Sequence, residues 1–265
     1  MAVPPMFNEF WVATKESSKI QAIWLDSKGR KQYLYNDKFV NSQKDKKYIR
    51  MKHFVKKLPS FWRRVNQDIK SNSIDPKTRN IAHLFLIVRD THIRVGNEKY
   101  YKENGSIGLT TLRNSHITFQ NNPKRAKLCF KGKSHMEHEL EITNPNAIRF
   151  LKHICKPLTK NQIVFSDIQP NDLNRYLQSV IGKPFTVKDF RTIAANSIFI
   201  NQIRKQPTTN PKQAIREALK HTAKQLGHRT ATSKKSYVSE RLTERYLKNP
   251  ILFNKKNLST LLKLA

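Results

Sequence analysis

Few side chains in this sequence are arranged in a way that suggests chemistry, and several familiar arrangements are missing. No GxxxxGK run followed by Ser or Thr offers a phosphate loop, and no HExxH pair offers a zinc site. The nearest imitation of a metal site is His135 and His138 beside Glu137 and Glu139. In a β hairpin these read as surface polar residues, so no metal is expected there. Acidic residues form no DxD-like cluster, and a two-metal nuclease or polymerase needs clustered carboxylates to hold its ions. What remains is a large set of cations and eight tyrosines. A phosphodiester under attack gains charge on its non-bridging oxygens. Without a metal, that charge must be met by fixed donors, and the fork of an arginine is the best of them. A lysine can give a leaving alkoxide its proton. A tyrosine oxygen can attack phosphorus and hold a covalent intermediate, provided nearby positive charge favours the phenolate. Composition alone does not say which residues would do this.

The charge balance names the class of partner. Lys plus Arg number 51 against 19 Asp plus Glu, a formal net charge of +32 over 265 residues. Self-repulsion of that size works against a compact state, so a polyanion, nucleic acid first of all, is the expected partner. The ordinary alternative is a halo of solvated lysines. The basic residues are spread along the chain and not gathered on one amphipathic helix, which argues against a membrane surface. Cys129 and Cys155 are far apart and form no CxxC, so neither a zinc site nor a disulfide framework is expected. No signal peptide and no apolar run long enough to span a bilayer are read, and an intracellular, DNA-associated location is expected.

The elements that must position such a site follow from the hydrophobic pattern. Short apolar-aromatic runs at 10–13, 20–25 and 31–36, with a turn at DSKGR (26–30), predict an N-terminal antiparallel β region. Helical sequence begins near 42, and the spacing of apolar residues predicts helices over 54–70 and 79–96, separated by a capped loop at 71–76. HITFQ (116–120), AKLCFKGKSH (126–135) and HELEI (138–142) predict a three-stranded meander. From 144 onward the chain reads as mainly helical, with a loop at 207–211. The fold class is therefore α+β: a short β region over 1–45, then a mainly α-helical domain with a β meander over 46–265.

Several blocks, which follow one another along the chain in the family's order, resemble the type IB DNA topoisomerases of the small viral and bacterial kind. IRVGNEKYYKENGSIGLTTLRNSHI (93–117) is similar to their segment in which an arginine precedes a glycine and a tyrosine, and GLxTL leads to a strand. FKGKSH (130–135) resembles their glycine-lysine turn, and TVKDFRTIAAN (186–196) their KDxRT helix start. LGHRTATSKKSYV (226–238) resembles their closing pattern, a Gly-His pair with tyrosine nine positions after the histidine. LDSKGRKQYLYN (25–36) is similar to the KGRxQYxY block, and VPPMF (3–7) to the proline pair before it. Members usually carry more sequence before that pair, so a partial N-terminal clamp is expected.

The resemblance implies roles. Arg94 and Arg191 clamp the non-bridging oxygens of the scissile phosphate, and His228 hydrogen-bonds one of them. Lys133 protonates the leaving 5′ oxygen. Tyr237 attacks and holds a 3′-phosphotyrosyl link. Gln32, Tyr33 and Tyr35 match positions facing the major groove, with Lys28 and Arg30 interleaved; Lys188 and Tyr100 match further DNA contacts. The resemblance also implies double-stranded DNA as partner, no cofactor, no metal, no ATP and a monomeric enzyme of the tyrosine recombinase/topoisomerase catalytic fold. Singly, each of these residues has an ordinary reading as a solvated cation, a turn lysine or a packing tyrosine. Two rival readings stay open at this point. One is a tyrosine recombinase, whose second arginine normally lies in HxxR and not in KDFR as here. The other is a catalytically silent basic DNA-binding protein.

Overall fold

The computed structural model describes residues 10–27, 29–206, 209–254 and 256–263. The proline pair Pro4–Pro5, Lys28, and Pro207 and Thr208 of the expected loop lie outside these residues. The backbone packs as two compact units, Met1–Arg50 and Met51–Ala265.

The first unit holds a three-stranded antiparallel sheet in the order β1 (Phe10–Val12), β2 (Ile20–Leu25), β3 (Lys31–Tyr35). The register sets Trp11 beside Ile23 and Ile23 beside Tyr33. The expected turn at 26–30 closes on Asp26, whose carbonyl accepts from the Gly29 N–H at 2.9 Å and whose carboxylate accepts from the Arg30 N–H at 3.0 Å. Helix α1 (Asp37–Lys70) starts earlier than the pattern predicts. The Asn36 side chain explains the start, since it accepts from the Lys38 N–H at 2.9 Å and meets one of the unpaired donors of the first turn. Both the division between the units and the expected 45/46 boundary fall inside this helix.

The second unit is built around an aromatic cluster. Phe61 meets Phe85 edge-on at 4.9 Å between ring centroids, and Phe54 meets Phe190 edge-on at 5.0 Å. Phe54, Phe61 and Phe85 are fully buried, and each such side chain contributes roughly 1.5–3 kcal/mol relative to exposure. The cluster ties α1 to α2 (Pro76–Thr91) and to the first turn of the helix that carries Phe190. Asp75 caps α2 by accepting from the Thr78 N–H at 2.8 Å, as the DP signal predicts.

Helix α2 ends at Thr91 and not at 96 as expected. The Thr91 hydroxyl donates to the Ile87 carbonyl at 2.6 Å and accepts from the Ile93 N–H at 3.3 Å, competing with the helical ladder. His92 then adopts a left-handed conformation with φ 52°. Arg94 therefore lies on an extended segment, whose carbonyl accepts from the Leu109 N–H at 2.8 Å. Glycine is required at 108 for this pairing: a Cβ there would stand 2.5 Å from the Gly96 Cα and 2.7 Å from the Arg94 oxygen. Between the two paired stretches runs α3 (Glu98–Asn104).

The meander forms in the order β4 (Ile117–Gln120), β5 (Arg125–Lys131), β6 (Glu137–Ile142). Lys133–His135 make the tight turn between β5 and β6, with Ser134 and His135 at φ 63° and 55°. The rest is helical: α4 (Pro145–Cys155), α5 (Pro170–Ile181), α6 (Val187–Ile203), α7 (Pro211–Leu226), the single turn α8 (Thr230–Thr232), α9 (Glu240–Lys248) and α10 (Leu258–Lys263). Helix α6 packs on α7, and α7 on α9. This is the α+β architecture that the sequence pattern predicts. Among the described residues, no helix is long and apolar enough to cross a membrane.

Candidate active site

Helix α6 delivers the first cation. Its start is fixed because the Asp189 carboxylate accepts from the Thr186 N–H at 2.8 Å, a capping arrangement that consumes the charge of Asp189 at the helix end. Phe190 goes into the aromatic core, and Arg191 is only 5% exposed beside it. Its guanidinium donates to the His92 carbonyl at 2.6 Å and to the Leu226 carbonyl, and lies 3.4 Å from His228 Nδ1. A side chain held at that many points is oriented before any substrate arrives.

Helix α7 delivers His228. The helix ends in a left-handed Gly227, and the His228 N–H returns to the Ala223 carbonyl at 3.1 Å. His228 Nε2 stands 2.8 Å from the hydroxyl of the buried Ser233, which marks the direction in which this nitrogen meets a hydrogen-bond partner.

Tyr237 closes a π-helical turn, Ser233–Tyr237, a form often found at functional sites. Its ring stacks on His228 at 5.0 Å and 20°, and the Arg191 guanidinium carbon stands 5.8 Å from the ring centroid. Burial alone would raise its phenol. The positive charges of Arg191, then Arg94, with Lys188 behind them, outweigh burial and bring it below the usual tyrosine value. Burial, then the like charge of Arg94, pull Arg191 below the arginine range, yet it keeps its charge at neutral pH.

Four of the five expected catalytic residues, Arg94, Arg191, His228 and Tyr237, thus share one electrostatic neighbourhood. Lys133 stands apart. It is exposed on the β5–β6 turn, and no hydrogen bond or ion pair ties its ammonium among the described residues. Lys188 is exposed in the first turn of α6 and close enough to act on the Tyr237 phenol. Tyr100 is 59% exposed on α3. In the first unit, Tyr33 and Tyr35 share a face of β3, with rings stacked at 6.0 Å. Gln32 points to the opposite face, and its amide donates to Asp26 at 3.0 Å; Arg30 is also paired with Asp26, at 2.7 Å.

Three residues of this neighbourhood escape a reading by motif. Asn196, fully buried, donates to the Tyr237 carbonyl at 3.0 Å and accepts from the Ser239 N–H at 2.9 Å, so one amide holds the backbone that leaves the tyrosine, on both sides of Val238. An asparagine inside the apolar run IAANSIFI is the signal that could have found it. Ser233 is the second. His138 is the third, and it corrects the reading of 135–139 as surface polar residues. His135, Glu137 and Glu139 are exposed, but His138 is 8% exposed, because the alternation EHELEI places it on the buried face with Ile142. No three His, Cys, Asp or Glu side chains converge as metal ligands among the described residues.

The buried histidines make the free protein sensitive to acid. Burial first, then nearby arginines, hold His83, His138 and His228 at about 4 against an ordinary 6.5. Between those values the unfolded chain binds protons that the folded one refuses. Stability is therefore complete above 6.5 and falls as pH drops toward 4. The DNA-free protein should melt lower at pH 5 than at pH 7.5 by at least about 2–4 °C, the shift that about 1 kcal/mol makes in a domain of this size. Equal melting temperatures at the two pH values would contradict the neutral, buried state of these rings.

Residues 36–257 match the family model of the eukaryotic DNA topoisomerase I catalytic core. The chain is similar to DNA topoisomerase 1B of Acanthamoeba polyphaga mimivirus, 36% identical over 271 residues, covering 96% of this chain and 80% of that protein. It is 30% identical over 234 residues to DNA topoisomerase 1B of vaccinia virus (strain Copenhagen), covering 83% of this chain and 70% of that one. It is 25% identical over 211 residues to DNA topoisomerase 1 of Schizosaccharomyces pombe, covering 77% of this chain and 25% of that much longer protein. Matched by the family model over most of its length and by a viral relative over nearly all of it, the chain belongs to the type IB DNA topoisomerases and works through a tyrosine-mediated mechanism.

Proposed function

We propose that this protein relaxes supercoiled double-stranded DNA by transient cleavage of one strand, with Tyr237 as the nucleophile. The observation that carries the reading is the convergence of Arg94, Arg191 and His228 on a buried tyrosine whose phenol the two arginines push toward the phenolate. The phenol gives its proton to water, and its oxygen attacks phosphorus. A phosphorus–oxygen bond forms to Tyr237 as the bond to the 5′ oxygen breaks. Arg94 and Arg191 meet the charge growing on the non-bridging oxygens, and the His228 Nε2–H turns from Ser233 to one of them. Lys133 gives its proton to the leaving 5′ oxygen. The freed end swivels about the intact strand. It then attacks back, returning its proton to Lys133 and expelling Tyr237. The energy of the phosphodiester stays in the 3′-phosphotyrosyl link, so the cycle needs no ATP, and fixed cations do the work a metal would do.

The exposed Tyr33, Tyr35, Tyr100 and Lys188 extend the DNA contact beyond the site, with Arg30 and Gln32 released from Asp26 when they engage the duplex. Lys28 would join them. Every residue of this mechanism comes from one chain, which supports a monomer working wherever the cell or virus holds its DNA. Supercoiled plasmid incubated with the protein in EDTA, without nucleotide, should be relaxed through a ladder of topoisomers. Binding should weaken steeply with salt as counterions are released. Plasmid left supercoiled under these conditions, with binding intact, would overturn the reading.

A further inference from the structure

The imidazole of His138 is wedged between two glycines, and each of them directly precedes an expected catalytic residue. A Cβ on Gly132, the residue before Lys133, would stand 2.7 Å from His138 Cδ2. A Cβ on Gly227, the residue before His228, would stand 2.1 Å from His138 Cε1. Both positions are held open for this ring. Phe130 stacks on the ring at 5.1 Å and 15°. Nε2 is buried and has no hydrogen-bond partner among the described residues. Beside it lies a cavity of about 10 Å³, lined by Ile93, Arg94, Ile107, Phe130, Gly132 and His138 itself.

The turn that carries Lys133 has little else to hold it. Its own closure is one hydrogen bond, from the Gly132 N–H to the Met136 carbonyl at 2.8 Å, and residues 133–135 are exposed. The half of the site on α6 and α7 is fixed by the Arg191 hydrogen bonds. A contact between the hairpin and the Gly227–His228 turn carries that order toward the lysine, and the His138 ring lies against Gly132 on one side and Gly227 on the other.

We propose that His138 is a positioning residue, a spacer that sets the Lys133 turn against the Gly227–His228 turn and so places the lysine ammonium at the leaving oxygen. The proposal rests on the reading of Lys133 as the acid. Polarity explains why a histidine suits the slot: burial and the charges of Arg191 and Arg94 keep the ring neutral, so it adds no third charge to the cluster.

The test uses two DNA substrates, one with oxygen and one with sulfur at the 5′-bridging position. Sulfur leaves as a thiolate and needs no proton, so it removes the demand for an acid and nothing else. Single-turnover formation of the covalent adduct is measured at saturating protein for Lys133→Ala, His138→Ala, Gly132→Ala and the Gly132→Ala/His138→Ala double variant. The backbone at Gly132, φ −97° and ψ −160°, accepts alanine, so this variant pushes on the ring without removing it. His138→Ala and Gly132→Ala should each slow cleavage of the oxygen substrate by roughly 10²-fold, the cost of an ångström-scale misplacement. Sulfur should recover most of that loss, as in Lys133→Ala. The double variant should be no worse than the worse single one, since both act on one contact. Equal losses on oxygen and sulfur, with Lys133→Ala still rescued, would overturn the spacer and leave the acid in place. Wild-type rates in both single variants would also overturn it. Failure of sulfur to rescue Lys133→Ala would overturn the acid reading and the spacer with it. If His138→Ala does not fold, Gly132→Ala decides by the same comparison.

Discussion

Tyr237→Phe should form no covalent adduct and relax no plasmid, while binding DNA as the unaltered protein does. The substitution removes one oxygen and nothing that holds the fold. The phenylalanine ring can keep the stack on His228, and Asn196 holds the backbone that follows it whatever the ring carries. No group at the end of that ring can then attack phosphorus. The loss should therefore be complete and not a matter of degree, since a nucleophile, unlike a stabilising donor, has no partial substitute on the same side chain. The measurement is a denaturant-stable protein–DNA adduct on end-labelled duplex, run beside a binding titration. Any adduct from Tyr237→Phe at the unaltered rate would show that another group is the nucleophile.

The second large effect belongs to Arg191. Arg191→Ala should slow adduct formation by at least about 10²–10³-fold, the cost of losing one preorganised donor at a charge-developing oxygen. A second consequence separates this from simple loss of contact. Arg191 is the first of the charges that lower the Tyr237 phenol against burial. Without it the phenol rises, so the rate in the variant should keep climbing with pH beyond the point where the unaltered enzyme levels off. Arg191→Lys should not rescue. A lysine has no planar fork to reach the His92 and Leu226 carbonyls while facing a phosphate. The buried Leu226 carbonyl left unpaired costs about 1–3 kcal/mol, so both variants should melt lower as well. Cleavage within a few-fold of normal in Arg191→Ala, or an unchanged pH profile, would remove Arg191 from the role given to it.

Much of this was legible in the chain itself, for reasons that can be stated. Strands β1 to β3 and the β4–β6 meander were readable because period-two alternation and turn residues are local signals. The order of the blocks was readable because each needs only short runs of particular side-chain types. The end of α2 was not. The apolar pattern runs on through Ile93 and Val95, and only the pairing of 94–95 with 109–110 makes an extended path better than another helical turn. His138 departs from expectation for a related reason. Its neighbours Glu137 and Glu139 suggest a polar, exposed stretch, while the alternation of the strand turns His138 inward.

Residue types and their spacing specify a strongly basic, α+β protein with a tyrosine, a histidine, a lysine and two arginines in the order of a known family. What those residues do to one another comes from how the chain folds. A lowered phenol at Tyr237, a stack of His228 on that phenol and a histidine wedge between Gly132 and Gly227 all depend on groups dozens of residues apart meeting in a buried volume. Electrostatic and packing energies depend on distance through space, which no local pattern of a chain contains.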